Sequence, residues 1–137
     1  MRITIRQKNL EITPALHIYI ESKVLKPVRR LLKNVKESEL PVLDLEFERS
    51  TRHHKKGKVF RAEATLTLNG HLIRAEVDDE DIRVCCDRLQ EELERGIMSY
   101  KSKTAARARR VARSVKKTLR LDPLARSPKS AREREEG

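Results

Sequence analysis

The alternation of apolar and polar positions along this chain predicts six elements. Ile3 and Ile5 alternate with Arg2, Thr4 and Arg6, the period of a short strand. Thr13-Pro14 follows as a helix start, the threonine as N-cap and the proline at the first helical position. From there Leu16, Ile20, Val24, Val28, Leu31, Leu32 and Val35 trace one helical stripe. Pro27 falls inside it, where a kink or a weakened middle is expected, and Pro41 marks the exit. Leu43, Leu45 and Phe47 then alternate with Asp44, Glu46 and Glu48, giving a half-buried strand with an acidic outer face. After a polar, basic loop from Ser50 to Lys58, the even positions Phe60, Ala62, Ala64, Leu66 and Leu68 define a longer strand. Asn69-Gly70 favours a tight primed turn, and Ile73, Ala75 and Val77 return as the partner strand. Asp78 to Asp81 places four acids at a helix N-terminus, where they can cap amides. The stripe Ile82, Cys85, Cys86, Leu89, Leu93, Ile97 and Tyr100 runs from there into the last third of the chain.

The order is β-α-β-β-β-α. Each strand has one apolar and one charged face, so the sheet buries a single face, and two striped helices must cover it. The predicted fold is an α+β two-layer sandwich: a four-stranded sheet with both helices on one side, close to a double-stranded-RNA-binding shape. Residues 1–103 form the domain, 104–121 a basic helical extension, and 122–137 a polar tail expected to be disordered.

Charge sharpens this division. The formal net charge is +11 on 137 residues. Residues 1–103 hold 21 Lys/Arg against 17 Asp/Glu, whereas residues 104–137 hold 11 against 4. From Lys101 to Leu121 there are nine Lys or Arg and no acid, with Ala108, Val111, Ala112, Val115 and Leu119 on one helical stripe. Such a segment needs an external polyanion, and nucleic acid is the leading partner class. Because isolated helicity is marginal in water, its order is expected mainly on binding.

The remaining chemistry narrows the choice. No run of 18 apolar residues suggests a membrane span, and the start MRITIRQKNLEIT lacks a secretory core, so a cytoplasmic location is expected. His53, His54, His71, Cys85 and Cys86 lack zinc-like spacing, and the adjacent cysteines sit in a helix stripe, so no metal or cofactor is expected. No catalytic arrangement emerges, and the chain is read as a non-enzyme without a small-molecule substrate. With 3 % aromatic residues and no Trp, binding should run through phosphates and RNA shape, with little base stacking.

The words LEITPAL (Leu10–Leu16), ATLTLNGHLIRAEV (Ala64–Val77), EDI (Glu80–Ile82), LERGI (Leu93–Ile97) and YKSK (Tyr100–Lys103) stand in register on these elements. Together they resemble the ribosome hibernation-promoting factor family, also called protein Y or ribosome-associated inhibitor, over about residues 2–103. The resemblance implies a cytoplasmic translation inhibitor of stress or slow growth. It implies binding of the small ribosomal subunit in the channel used by mRNA and by A- and P-site tRNA, through ribosomal RNA. Long members add a C-terminal dimerisation domain; here a basic tail follows, so a monomer off the ribosome is expected. Arg83, Glu92 and Ser99 stand where the family more often has an aromatic residue and two lysines.

Carried over by position, the family's basic residues fall at Lys23 and Lys26 on the first helix and at Lys101 and Lys103 on the second. Arg29, Arg30 and Lys33 extend the first patch, since residues 26, 29, 30 and 33 share a helical face. Glu21 is the only acid between Pro14 and Lys36, so this patch is expected to be uncompensated. Arg95 is a weaker RNA-binding candidate beside Glu91 and Glu92, and Arg88 weaker still. Arg107, Arg109 and Arg110 complete the set in the extension. A general structured-RNA module, or a regulator acting through protein contacts, are the alternatives.

Overall fold

The computed structural model describes residues 1–50 and 59–121. Its elements are β1 (Arg2–Lys8), α1 (Pro14–Ile20), a π-helical turn (Glu21–Leu25), α2 (Lys26–Leu32), β2 (Val42–Arg49), β3 (Phe60–Leu68), β4 (His71–Asp79) and α3 (Ile82–Leu121). Contacts along the chain separate a body, Met1–Ser99, from a second unit beginning at Tyr100.

In the body the four strands form one mixed sheet in the order β1-β2-β3-β4. β1 runs parallel to β2, and the other two pairings are antiparallel. Register puts Leu43 opposite Leu66 and Leu66 opposite Ile73, and likewise aligns Phe47 with Ala62 and Ala62 with Val77. These side chains therefore share one face, and all of them are buried. Leu16, Ile20, Val24, Leu25, Val28 and Leu32 bury the inner side of the first helical stretch, and Cys85, Cys86, Leu89, Leu93 and Ile97 that of α3. Among the described residues no polar or charged side chain is buried. The predicted α+β sandwich is the observed fold.

Local chemistry accounts for the element ends. Thr13 caps α1, its hydroxyl accepting the Leu16 N–H at 3.2 Å, with Pro14 behind it in the first turn. Asp81 caps α3, its carboxylate accepting the Arg83 N–H and its carbonyl the Cys85 N–H. Asp78 and Asp79 belong to β4 rather than to the helix start, because the ladder with Arg61 and Phe60 holds them extended. Asn69 and Gly70 take positive φ values of 50° and 78°, as a two-residue primed turn requires.

Pro27 brings a different outcome from a simple kink. It has no N–H to donate, and its ring crowds the carbonyl four residues back. The helix absorbs both by widening: the Lys26 N–H bonds to the Glu21 carbonyl, five residues back. The wide turn also counters rotational drift. A stripe repeating every fourth residue creeps round a helix of about 3.6 residues per turn. With the π turn inserted, Leu16, Ile20, Val24, Val28 and Leu32 all stay on the core side.

α3 approaches the sheet closely at Gly96, where an added Cβ would lie 2.4 Å from Ile73 Cγ2. The extension 104–121, expected to order mainly on binding, is helical as the later part of α3. The helix is already nucleated upstream, so each added residue needs only propagation. The loop residues 51–58, with His53 and His54, and the tail 122–137 lie outside the described residues.

Candidate nucleic-acid interface

Five predicted RNA contacts stand exposed on the first helical stretch: Lys23 on the π turn, Lys26, Arg29 and Arg30 on α2, and Lys33 at its C-cap. Val24, Leu25, Val28 and Leu32 are buried on the opposite side, so packing aims the cations outward. One expectation needs correcting. Arg29 donates to Glu21 at 2.5 Å, so the patch is partly compensated. Among the described residues no carboxylate pairs with Lys26, Arg30 or Lys33. The Arg29 pair is half exposed, and pairs of this kind contribute only ~0–1 kcal/mol, so a phosphate can compete for the guanidinium.

The structure adds a cluster that the sequence did not reveal. The Tyr19 hydroxyl donates to Asp87 at 2.9 Å, joining α1 to α3. Lys23 and Arg83 lie 6.0 and 5.4 Å from the centroid of its ring. Burial, then the hydrogen bond to Asp87 and that carboxylate's charge, push the Tyr19 phenol above its ordinary value. Arg83 thereby brings a cation from α3 to the same ring that Lys23 approaches. Its ring partner Tyr19 is 64 residues away in sequence, so no local spacing could have indicated it.

The remaining arginines of α3 in the body are more committed. Arg95 pairs with Glu92 at 2.7 Å rather than with Glu91. Arg88 donates to the Asp78 carbonyl at 2.7 Å and reaches Asp79 at 3.4 Å, tying α3 to the end of β4. It is a structural residue.

The open face of the sheet has the opposite character. Asp44, Glu46 and Glu48 point away from the core, and Arg6 and Lys8 answer Glu46 and Glu48 at 4.0 and 3.9 Å. Arg61 pairs with Glu63 and, across the strands, with Glu76. Four glutamates of this face are thus answered by Arg6, Lys8 and Arg61, while the α2 face retains unpaired cations.

In the second unit Lys101 is half-buried, and Lys103, Arg107, Arg109 and Arg110 are exposed. At ~100° per residue, the basic residues from 103 to 120 spread over about half the helix circumference. Ala108, Val111, Ala112, Val115 and Leu119 occupy the other half.

Among the described residues no group of three or more His, Cys, Asp or Glu could hold a metal ion. Burial pushes the Cys85 thiol up to about 11 and the Cys86 thiol up to about 12, leaving both protonated and inert at neutral pH. No described helix is long and apolar enough to cross a membrane.

Comparison with known proteins agrees with this architecture. Residues 3–105 match the family described as Sigma 54 modulation protein / S30EA ribosomal protein, and the chain belongs to that family. The N-terminal domain of protein Y from Thermus thermophilus superposes with a TM-score of 0.55 at 28 % identity, over 73 % of this chain and 99 % of that one. A ribosomal subunit interface protein from Coxiella burnetii shares the fold at 23 % identity and a TM-score of 0.55, over 74 % of this chain and 99 % of that one. The ribosome hibernation promotion factor of Picosynechococcus is 26 % identical over 124 residues, 90 % of this chain. The chain spans 61 % of that relative's length. The hibernation-factor resemblance carried by the sequence words is thus borne out.

Proposed function

We propose that this protein is a ribosome hibernation factor that lodges on the small ribosomal subunit and silences it by occupancy. The ribosome-binding domain, residues 1–103, fills the channel that mRNA and the A- and P-site tRNAs require. Lys23, Lys26, Arg29, Arg30 and Lys33 meet ribosomal phosphates from one side. Lys101 and Lys103, with Arg107, Arg109 and Arg110 of the extension (104–121), add further phosphate contacts, and Arg95 contributes least. Initiation is blocked sterically, and the idle particle is protected; no bond is made or broken.

One observation carries this reading: among the described residues Lys26, Arg30 and Lys33 of the helical face have no carboxylate partner, whereas on the open sheet face Arg6, Lys8 and Arg61 pair with Glu46, Glu48, Glu63 and Glu76. Phosphate recognition by a rigid basic surface follows from that asymmetry, and family membership points to the ribosome as the source of the phosphates.

The test is a quadruple substitution, Lys26→Ala, Arg29→Ala, Lys101→Ala and Lys103→Ala. The variant is expected to lose binding to purified small subunits and to relieve inhibition of translation in vitro. Full inhibition by the variant would contradict the proposed site. Equal affinity of the unmutated chain for subunits and for plain duplex RNA at matched salt would instead favour a general RNA-binding module.

A further inference from the structure

We propose that the later part of α3 is a two-sided adaptor whose apolar stripe docks in a carboxylate-rimmed apolar groove of a protein. The stripe is Ala108, Val111, Ala112, Val115 and Leu119. Its large members are bare, with Val111, Val115 and Leu119 at 57, 54 and 55 % exposure. Phosphates satisfy the basic half of the helix and offer nothing to the apolar half. A repeated stripe of three branched aliphatic side chains is best matched by an apolar surface.

Charge selects among apolar surfaces. The segment Lys101–Leu121 carries nine cations and no acid, so a second copy would bring like charge against like along the whole contact. An acidic rim complements it. Stripe composition disfavours a lipid surface, since one leucine, two valines and no aromatic residue supply little insertion energy. Ala108 and Ala112 suit a protein groove, because small side chains let a backbone approach closely. The inference rests on the ribosomal reading above, which places the groove on a protein of the ribosomal particle.

The experiment uses the full chain with Val111→Ala, Val115→Ala and Leu119→Ala together. Alanine raises helix propensity, so circular dichroism should show helix content preserved. Affinity for purified small ribosomal subunits should fall about tenfold or more, from the apolar groups removed. Affinity for protein-free RNA extracted from the same subunits should stay within about twofold. An unchanged affinity for subunits, or an equal loss on protein-free RNA, would overturn the adaptor. So would self-association of the unmutated chain, in sedimentation, that the variant abolishes. Binding to phosphatidylglycerol–phosphatidylcholine vesicles that only the unmutated chain shows would also overturn it. If the unmutated chain ignores subunits, the ribosomal reading falls as well; if it binds and the variant binds as tightly, only the adaptor falls.

Discussion

Gly96 and Ile73 show how one methyl group can matter in this fold. The missing Cβ lets α3 settle onto β4 with Ile73 Cγ2 in the space a side chain would fill. Alanine here gains up to ~1 kcal/mol in helix propensity but meets a stiff β-branched neighbour. We expect Gly96→Ala to destabilise the body by about 1–3 kcal/mol in urea unfolding. Combining it with Ile73→Ala should recover part of that loss, and additive costs would contradict the contact. Asn69 is a second such position. Its side chain accepts from the Ser38 N–H and hydroxyl and donates to the Lys36 carbonyl, clamping the hairpin to the segment after α2. Asn69→Ala should cost about 1–2 kcal/mol in the same assay, because the turn loses a residue suited to positive φ along with these bonds. The Asn-Gly pair was legible as a turn, but its link to Lys36 and Ser38 was not, because it joins residues 31 and 33 apart. The Arg29–Glu21 pair escaped for a related reason. Eight residues span about 12 Å of helix, outside the i+3 and i+4 window, and a long side chain leaning toward the N-terminus closes the gap.

Among the elements, the π turn and α3 carry the most information. Pro27 signalled an irregularity at the right place, but sequence period alone did not separate a kink from a wide turn. The distinction decides whether Val24, Val28 and Leu32 can stay in one line. The stripe of α3 was legible from Ile82 to Leu119, and its burial in the body follows that stripe through Ile97. Its paired thiols give the element a pH signature. Cys85 and Cys86 have folded values near 11 and 12 against an ordinary value of 9.0, so the folded state holds its thiol protons more tightly. That contribution is fully present below about pH 9 and is lost as pH rises through 11 to 12. Stability measured by urea unfolding should therefore fall between pH 9 and 11, and by less in a Cys85→Ala, Cys86→Ala variant. An identical decline in both proteins would assign the effect to other groups. Native Cys85 and Cys86 should also resist a thiol reagent at pH 8 until denaturant is added.

At the scale of the whole molecule, the proposed function rests on where charge is left over. Net charge and its bias toward the last third were readable directly, as was the alternation that gives the sheet one open face. Cross-strand pairing on that face required register, and the approach of Arg83 to Tyr19 required the tertiary fold. Both deepen the contrast between the two faces. If six to ten phosphates are neutralised, affinity for small subunits should fall by roughly 10³ to 10⁵ between 50 and 200 mM salt. Deleting residues 104–137 should flatten that dependence and leave the body folded, as judged by far-ultraviolet circular dichroism; loss of the fold would contradict the proposed boundary. The most direct measurement is a cryo-electron microscopy map of the full chain bound to the small subunit. The account predicts Lys26, Arg30 and Lys33 facing ribosomal RNA in the mRNA and tRNA channel, with Asp44, Glu46 and Glu48 turned away. The open sheet face packed against RNA, or density outside that channel, would contradict it.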